Sequence, residues 1–252
     1  MCGRFAQPRS SEELARIFGA RQSAELAGQR FNVAPTDEVA AVIEHHGERQ
    51  VDVFRWGLLP FWAKTRRDGA RMINARAETV ASSPAFRTAL LRRRCVIPAD
   101  AFYEWRRPAG DDGGRSRRGR SEPFAIRRRS GGLLAMAGLW AVWHEPLTAE
   151  RVYTCTIVTT VANGVMAGLH DRMPVILDGQ GWPGWLDERT PADDLLSLLV
   201  PAPAEEFEAY AVSPAVSNVR SEGPGLLDPL SRWADGSSGD AAHAETIWTE
   251  PE

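Results

Sequence analysis

The chain has 252 residues, of which 43% are hydrophobic and 25% are charged, and its formal net charge at pH 7 is -3. These values are ordinary for a globular protein with a substantial core, and the negative charge argues against a protein that coats nucleic acid. No apolar run approaches the roughly 20 residues that a membrane helix needs. The N-terminus shows no secretory signal, and three widely spaced cysteines predict no disulfide framework, so we expect a reducing cytoplasm.

The positive charges of the chain are almost all arginine, since Lys64 is the only lysine. Nucleotide-composition bias in a GC-rich genome, at positions on the solvated surface, explains the excess of arginine for most of these residues. The functional interpretation is phosphate binding, because the planar guanidinium group makes two parallel hydrogen bonds to a phosphate. Charge alone does not decide between the two interpretations.

Short strands dominate the predicted secondary structure. Ser10 and Glu13 form a capping box that predicts a short helix ending at Gly19. From about Glu38 the predicted strands are VAAVIEHH, VDVFRW, RCVIPA, AFYEW, PFAIRR, LLAMAGLWAVW and YTCTIVTT. Helical segments are expected at SPAFRTALLRR, near NGVMAGLH and at PADDLLSLL. Strands in succession without regular helical crossovers predict an α+β fold, β-rich and mainly antiparallel, with a few short helices.

Two segments stand outside this pattern. PAGDDGGRSRRGRSE, residues 108–122, is a Gly- and charge-rich insertion that predicts a solvated hairpin loop. Residues 231–252 lose hydrophobic periodicity and gather Gly, Ser, Ala and acidic residues, which predicts a disordered tail. We therefore expect one domain over residues 2–230.

The chain begins MCGRF, and this start raises the question of why a thiol stands at position 2. Removal of Met1, which a small second residue permits, would leave Cys2 with a free α-amine and a thiol on adjacent carbons. An α-amine has a pKa of roughly 7.7–8.0 against about 10.4 for lysine, so it is far richer in free amine near neutral pH. Cys2 is therefore a candidate nucleophile.

Three further segments place polar residues within apolar strands, where function is expected. MINARAET puts Asn74, Arg76 and Glu78 at a spacing of two, so that in a strand they project from one face. IPADAFYEW sets Glu104 between two aromatic residues, which raises the pKa of a carboxyl toward a value useful for proton transfer. GLHDRMPVIL puts His170 directly before a buried strand. A solvated strand face, a rim glutamate and a structural histidine are the alternatives.

Metal binding is the natural alternative for the cysteines and histidines. The sequence has no CxxC or HxxxH pair, so we expect no metal and no cofactor. Cys95 and Cys155 lie in apolar strands and are interpreted as buried hydrophobic residues. WGLLPFW adds Trp56 and Trp62 around a Pro-containing turn; aromatic residues are usually core, although exposed ones stack on bases.

An ordered series of segments covers the chain from Met1 to about Leu230. The segments are MCGRF, RFNVAPT, RWGLLPFWAK, NARAET, RRCVIPADAFYEW, AMAGLW, VTTVAN, HDRMPVIL and VSPAVSNVRSEGP. In this order they resemble the SRAP family, the SOS-response-associated peptidases or abasic site processing proteins. The resemblance implies a β-rich domain that binds single-stranded DNA and links Cys2 covalently to a ring-opened abasic site.

The resemblance also assigns roles to individual residues. The family's catalytic residues map onto Cys2, Asn74, Glu104 and His170. Its DNA contacts map onto Gly3, Arg4, Arg76 and Arg172, with Trp56 and Trp105 as aromatic residues lining the DNA site. The partner is then single-stranded DNA with abasic sites, with replication-fork proteins as further candidates, and we expect a monomer that joins the nucleoid when bound to DNA.

Two other functions use the same residues differently. A cysteine peptidase or amidohydrolase would use Cys2, Asn74, Glu104 and His170 to cleave a peptide or amide, with no need for arginines that face phosphates. A non-covalent reader of modified DNA bases would keep Cys2 as a structural residue, and its salt-sensitive binding would survive Cys2→Ala. The ordered series of segments favours the covalent function over both.

Overall fold

The computed structural model describes residues 2–106, 121–179 and 181–230. The strands are β1 Phe5–Gln7, β2 Arg21–Gln22, β3 Arg30–Val33, β4 Glu38–His45, β5 Glu48–Trp56, β6 Asn74–Arg76, β7 Arg94–Ala99, β8 Ala101–Arg106, β9 Glu122–Arg128, β10 Leu134–His144, β11 Arg151–Val161, β12 Arg172–Pro174, β13 Ile176–Leu177 and β14 Phe207–Ala211. The α-helices are α1 Ser11–Ile17, α2 Arg87–Arg92, α3 Gly181–Leu186 and α4 Ala192–Ser197. Short 3-10 helices cover Arg66–Arg71, Ala204–Glu206, Pro214–Ser217 and Pro224–Leu227.

The strands form two sheets. The larger sheet has the order β12-β11-β10-β7-β4-β5-β2, with β13 beside β10 and β6 beside β11. Strand β11 also pairs with β5, so that β4, β5, β11, β10 and β7 close into a ring of pairings. The smaller sheet has the order β14-β9-β8-β1-β3. Within the described residues only the β2–β5, β5–β11 and β6–β11 pairings are parallel, which confirms the mainly antiparallel α+β fold.

Alternating residues of the larger sheet supply two separate cores. On β4, Ala40 and Val42 pack in the cluster that also contains the helix residues Leu14, Leu90 and Trp185. Their neighbours on the same strand face the smaller sheet, and the cluster there includes Cys2. The N-terminal segment therefore lies between the two sheets, and the positions of both sheets determine its surroundings.

A buried amide ties β1 to the larger sheet. The Gln7 Nε2 donates to the carbonyl oxygens of Ala40 and Pro98 at 2.9 and 2.7 Å, and its Oε1 accepts from the Ala40 N–H at 2.8 Å. Because a buried amide left without partners is costly, these bonds fix the position of β1 relative to β4 and β7. The residues before β1 are held at the site by the same arrangement.

Most of the predicted elements are present in the structure. The capping box of Ser10 and Glu13 opens α1, and Gly19 follows the helix with a φ of 57°. All the strands quoted from the sequence are found, as are α2 and α4. Strand β14 and helix α3 were not predicted, since FEAYA is short and GWPGWL contains Gly and Pro.

Three local expectations differ from the structure. The segment NGVMAGLH is a series of turns rather than a helix, because the Asn163 Oδ1 accepts the Val165 and Met166 N–H groups and two glycines weaken helix formation. Strand β6 ends at Arg76, so Glu78 lies in the following turn and not on the same strand face. Trp56, expected at the DNA surface, is 0% exposed.

The insertion of residues 108–122 joins neighbouring strands, since Arg106 of β8 pairs with Glu122 of β9. The hairpin predicted between them and the disorder predicted for residues 231–252 lie outside the described residues, apart from the last two positions of the insertion. The domain bounds of 2–230 remain a prediction. None of the helices in the described ranges is long and apolar enough to cross a membrane.

Candidate functional site

Cys2 is buried between the sheets and held by Asn74. Its side chain is 0% exposed, and the Asn74 Nδ2 donates to the Cys2 carbonyl oxygen at 2.8 Å. The Asn74 Oδ1 is also buried, and it accepts no hydrogen bond from the described residues. This amide therefore holds the backbone of Cys2 with one end and offers a free acceptor with the other.

Antiparallel pairing brings Glu104 to the same place. Phe5 pairs with Phe102, and the Tyr103 N–H donates to the Arg4 carbonyl oxygen at 2.9 Å. Continuing this register toward the N-terminus places Cys2 and Gly3 beside Glu104. The pKa of the Cys2 thiol is consistent with this position. Burial is the main cause that raises this pKa well above its usual range, and the nearby Glu104 charge is the second.

Glu104 is a buried carboxyl whose proton affinity suits neutral pH. Its exposed fraction is 5%, and desolvation by burial raises its pKa from 4.5 to about 7. A carboxyl with this pKa exchanges protons in both directions near pH 7. The raised pKa agrees with the sequence expectation, but its cause differs. Tyr103 and Trp105 alternate with Glu104 along β8 and pack in a cluster on the other face. Burial on the side of Cys2 therefore desolvates the carboxyl.

A polar groove of about 540 Å³ lies on the larger sheet next to this cluster. Its lining residues are Arg76, Glu78, Thr79, His170, Asp171 and Arg172. Strand β6 connects the groove to Cys2, because Asn74 and Arg76 lie two residues apart on it and share one face while Ala75 is buried on the other. The structure thus brings Arg76, His170 and Arg172 together, adjacent to the site of Cys2, Asn74 and Glu104.

The contacts of His170 define its tautomer. The Arg172 N–H donates to the His170 Nδ1 at 3.0 Å, so in the neutral ring the proton is on Nε2. The Asp171 Oδ1 also lies 2.7 Å from Nδ1, and this contact is an ion pair only when the ring is protonated. The neighbouring backbone and carboxylate therefore suit both the neutral and the charged imidazole.

Arg4 lies on the smaller sheet and is held by uncharged acceptors. Its Nη1 donates to the Asn32 Oδ1 and to the Val216 carbonyl oxygen, both at 2.8 Å, and its guanidinium lies 5.6 Å from the centre of the Trp105 ring. Burial lowers the pKa of Arg4, but the group remains positively charged. Among the described residues no carboxylate accepts a hydrogen bond from Arg4, although the charge of Asp37 lies near enough to act on its pKa.

Sequence reasoning missed Asn32, which organises this region. Asn32 is 0% exposed, and its Nδ2 donates to the carbonyl oxygens of Asn218 and Ser221, both at 2.9 Å, so it joins β3 to the C-terminal segment. The signal was present, because an amide between Phe31 and Val33 is a polar residue in an apolar strand. The same criterion selected Asn74.

Trp56 supports the site from the core, which differs from the predicted DNA contact. Its ring packs edge-on against Phe5 at 5.0 Å, and its Nε1 donates to the Ile73 carbonyl oxygen at 2.9 Å. The exposed aromatic residues of this segment are Phe61 and Trp62, which are 85% and 45% exposed and contact one another edge-on. These two, rather than Trp56, present their rings to solvent.

The described residues contain no group of three His, Cys, Asp or Glu side chains that could hold a metal ion. Cys95 and Cys155 are buried among apolar residues of the larger sheet, and burial raises the pKa of both thiols. The chemistry available at the site is therefore that of a cysteine at position 2, an amide, a near-neutral carboxyl, an imidazole and guanidinium groups.

Comparison with known protein families identifies the class of protein. The model of the SRAP family, SOS response associated peptidase, matches residues 1–219. This match covers most of the chain and every site residue named above except Ser221. The chain belongs to the SRAP family.

Individual relatives share nearly the full length of the chain. The abasic site processing protein YoqW of Bacillus subtilis is 38% identical over 231 residues, which cover 90% of this chain and 99% of that protein. YedK of Escherichia coli, also named an abasic site processing protein, is 28% identical and covers 91% of this chain. HMCES of Gallus gallus, with the same description, is 34% identical over 91% of this chain and 78% of its own.

Solved structures show the same fold. A protein from Bacteroides thetaiotaomicron superimposes with a TM-score of 0.79 at 23% identity, covering 90% of this chain and 99% of its own. A protein from Bordetella bronchiseptica gives a TM-score of 0.68 at 28% identity, covering 84% of this chain and 100% of its own. This chain therefore shares its overall fold with both proteins.

Proposed function

We propose that this protein recognises abasic sites in single-stranded DNA and captures them covalently through Cys2 after Met1 is removed. The observation that carries the proposal is the hydrogen bond from Asn74 to the Cys2 carbonyl oxygen, which fixes an N-terminal aminothiol beside a carboxyl of pKa about 7. The relatives named as abasic site processing proteins support the substrate. The arginines around the site support a phosphate-bearing ligand.

The reaction uses both nucleophiles of Cys2. The α-amine adds to C1′ of the ring-opened sugar aldehyde, and loss of water gives a Schiff base. The thiol sulfur then adds to the same carbon while its proton passes to the nitrogen, closing a five-membered thiazolidine ring. Intramolecular additions of this kind reach effective molarities on the order of 10⁵–10⁸ M, so ring closure makes a hydrolysable imine into a stable link.

Glu104 and His170 move the protons that these steps require. Glu104 accepts a proton from the Cys2 ammonium and returns it as water leaves, which suits a carboxyl whose pKa of about 7 lies near that of an α-amine. The thiol stays protonated because burial raises its pKa, so it needs a proton acceptor at the moment of attack. His170, in its charged form, donates the Nε2 proton to the sugar ring oxygen as the hemiacetal opens.

The DNA strand is held from both sheets. Arg4, Arg76 and Arg172 contact phosphates, and Gly3 leaves room for the backbone to approach Cys2. Trp105 and the exposed pair of Phe61 and Trp62 stack on bases that have lost a neighbour, a role that the buried Trp56 cannot take in this structure. The site is complete within one chain, so we propose that the protein acts as a monomer.

The test is an intact-mass measurement of the purified protein, alone and after incubation with an abasic-site oligonucleotide. We expect loss of Met1 and a heat-stable adduct of one protein and one DNA strand minus one water. Cys2→Ala and Cys2→Ser keep the α-amine but lack the thiol, so each should give at most a reducible imine and no heat-stable adduct. Cys155→Ala, which removes a buried thiol of the larger sheet, is the matched control and should react like the parent. A processed protein without an adduct would reject the proposal.

A further inference from the structure

The phosphate-binding groups of Arg172 are already occupied by a carboxylate. The Arg172 Nη1 donates to Glu78 Oε1 at 2.6 Å and its Nη2 to Glu78 Oε2 at 2.9 Å. This is the parallel two-point geometry with which a guanidinium also binds two phosphate oxygens. Glu78 therefore holds the place that a DNA phosphate would take at this arginine.

Burial shows that Glu78 lies on the solvent side of Arg172. The Arg172 side chain is only 12% exposed, whereas that of Glu78 is 49% exposed. The inner side of the guanidinium is committed to the protein, because Nη2 also donates to the Thr159 carbonyl oxygen at 2.6 Å. A phosphate that approaches from solvent meets Glu78 first and must displace it to contact the terminal nitrogens.

Glu78 competes as a charged group and can move away. The hydrogen bond from Arg172 lowers the pKa of Glu78, so the carboxyl is ionised at neutral pH. The residue lies in the turn after β6, where the Thr79 N–H donates to the Arg76 carbonyl oxygen, and not in the strand ladder. A rotation of the Glu78 side chain alone would open Arg172 without breaking β6.

We propose that Glu78 is a specificity-determining residue that competes with DNA phosphate for Arg172 and thereby weakens reversible binding to undamaged strands. This inference rests on the proposed function, in which the covalent link retains the protein at an abasic site. This competition shortens the time that the protein stays bound to undamaged DNA, which is much more abundant and where no link forms. Such a repulsive element raises selectivity without adding any contact to the lesion.

The test measures the affinity of Glu78→Gln for an undamaged single-stranded oligonucleotide by fluorescence anisotropy at several salt concentrations. Glutamine keeps the shape but carries no charge, so we expect binding that is about two- to fivefold tighter. The logarithmic salt dependence should steepen by about 0.7, which corresponds to one more phosphate neutralised on a single strand. The control is Glu208→Gln, which removes a carboxylate paired with Arg127 at 2.7 Å on the smaller sheet.

The double variant Glu78→Gln with Arg172→Gln distinguishes competition for Arg172 from the general effect of removing one negative charge. We expect the gain from Glu78→Gln to vanish when Arg172 is absent, with the uncharged Arg172→Met as a replacement if the glutamine variant does not fold. Equal gains in Glu78→Gln and Glu208→Gln, or weaker binding by Glu78→Gln, would overturn the inference. Because the oligonucleotide is undamaged, these results are independent of whether Cys2 forms an adduct.

Discussion

Arg4 and Arg172 are both candidate phosphate contacts, but the two sheets present them differently. On the smaller sheet, Arg4 donates to the Asn32 amide and to a backbone carbonyl, both uncharged. On the larger sheet, Arg172 forms a two-point ion pair with Glu78. An arginine held by neutral acceptors keeps its charge available for DNA, whereas an ion-paired arginine must exchange partners. The smaller sheet thus provides a preformed part of the site and the larger sheet an adjustable one.

The position of the reactive groups follows the same division. Glu104 is buried in the smaller sheet and has a pKa of about 7, whereas His170 lies at the rim of the open groove on the larger sheet. Cys2 lies between the sheets and is tied to the larger one through Asn74. Substitutions on the smaller sheet should therefore change the crosslinking rate and the free energy of unfolding. Substitutions on the larger sheet should mainly change the binding of DNA.

The largest effect is expected for Glu104→Gln on the rate of crosslinking. Removal of a positioned acid-base group slows such reactions by about 10²–10⁴-fold. The carboxylate is the active base, so the rate of the parent should rise with pH through about 7, whereas Glu104→Gln should keep only the later rise that follows deprotonation of the α-amine at roughly 7.7–8.0. Single-turnover rates from pH 5.5 to 8.5 with an abasic oligonucleotide test this. Glu208→Gln should keep the profile of the parent, and a profile in Glu104→Gln identical to the parent would contradict the role.

The same substitution, which slows crosslinking, should stabilise the folded protein at high pH. The folded-state pKa of Glu104 is about 7 against an ordinary 4.5, so the carboxyl is neutral in both states well below pH 4.5 and charged in both above pH 7. Between these values the parent loses about 3 kcal/mol of unfolding free energy as the buried carboxyl ionises. Denaturant unfolding at pH 5 and pH 8 should show that Glu104→Gln becomes more stable relative to the parent at pH 8. A pH-independent difference would argue against a desolvated carboxyl.

Asn32→Ala should break the preformed arrangement on the smaller sheet. It removes three hydrogen bonds, to Arg4, Asn218 and Ser221, from a fully buried position. We expect a loss of about 2–4 kcal/mol in unfolding free energy together with weaker binding of undamaged single-stranded DNA.

Tyr210→Phe is the matched control for Asn32→Ala. It removes the bond from the Tyr210 hydroxyl to the Leu227 carbonyl oxygen, so it also loosens the C-terminal segment, but it leaves Arg4 untouched. Its affinity for DNA should stay at the level of the parent. If both variants bind DNA equally well at a temperature where both are folded, Asn32 does not position Arg4.

The sequence predicted the strands better than it predicted the contacts between side chains. Apolar alternation marks strands reliably because each strand buries at least one face, and the motifs selected Cys2, Asn74, Glu104 and His170 as candidate residues. Trp56 was assigned to the DNA site by the family resemblance, whereas its local pattern, an aromatic residue beside a turn, is the same whether the ring packs inward or outward. The Arg172–Glu78 pair joins residues 94 positions apart, which no local pattern reveals.

Asn32 shows a different limit of sequence reasoning. Its pattern resembles that of Asn74, yet its partners are Arg4, directly before β1, and carbonyl groups 186 and 189 positions away. Backbone carbonyls carry no side-chain signature, so a sequence cannot show which carbonyls an amide will reach. The fold class is therefore accessible from periodicity, whereas the polar contacts that hold a site in place depend on the tertiary arrangement.

The smallest effect concerns how binding depends on salt, and it tests the comparison of the two arginines most directly. Each phosphate neutralised on a single strand contributes about 0.7 to the logarithmic salt dependence. Arg4→Gln should lower this dependence by about that amount, because no carboxylate within the described ranges is hydrogen-bonded to Arg4. Arg172→Gln should lower it by less while Glu78 is present, and by about 0.7 in a Glu78→Gln background. Equal losses from both arginines in the parent would mean that Glu78 does not compete, and that the two sheets offer DNA the same charge despite their different hydrogen bonds.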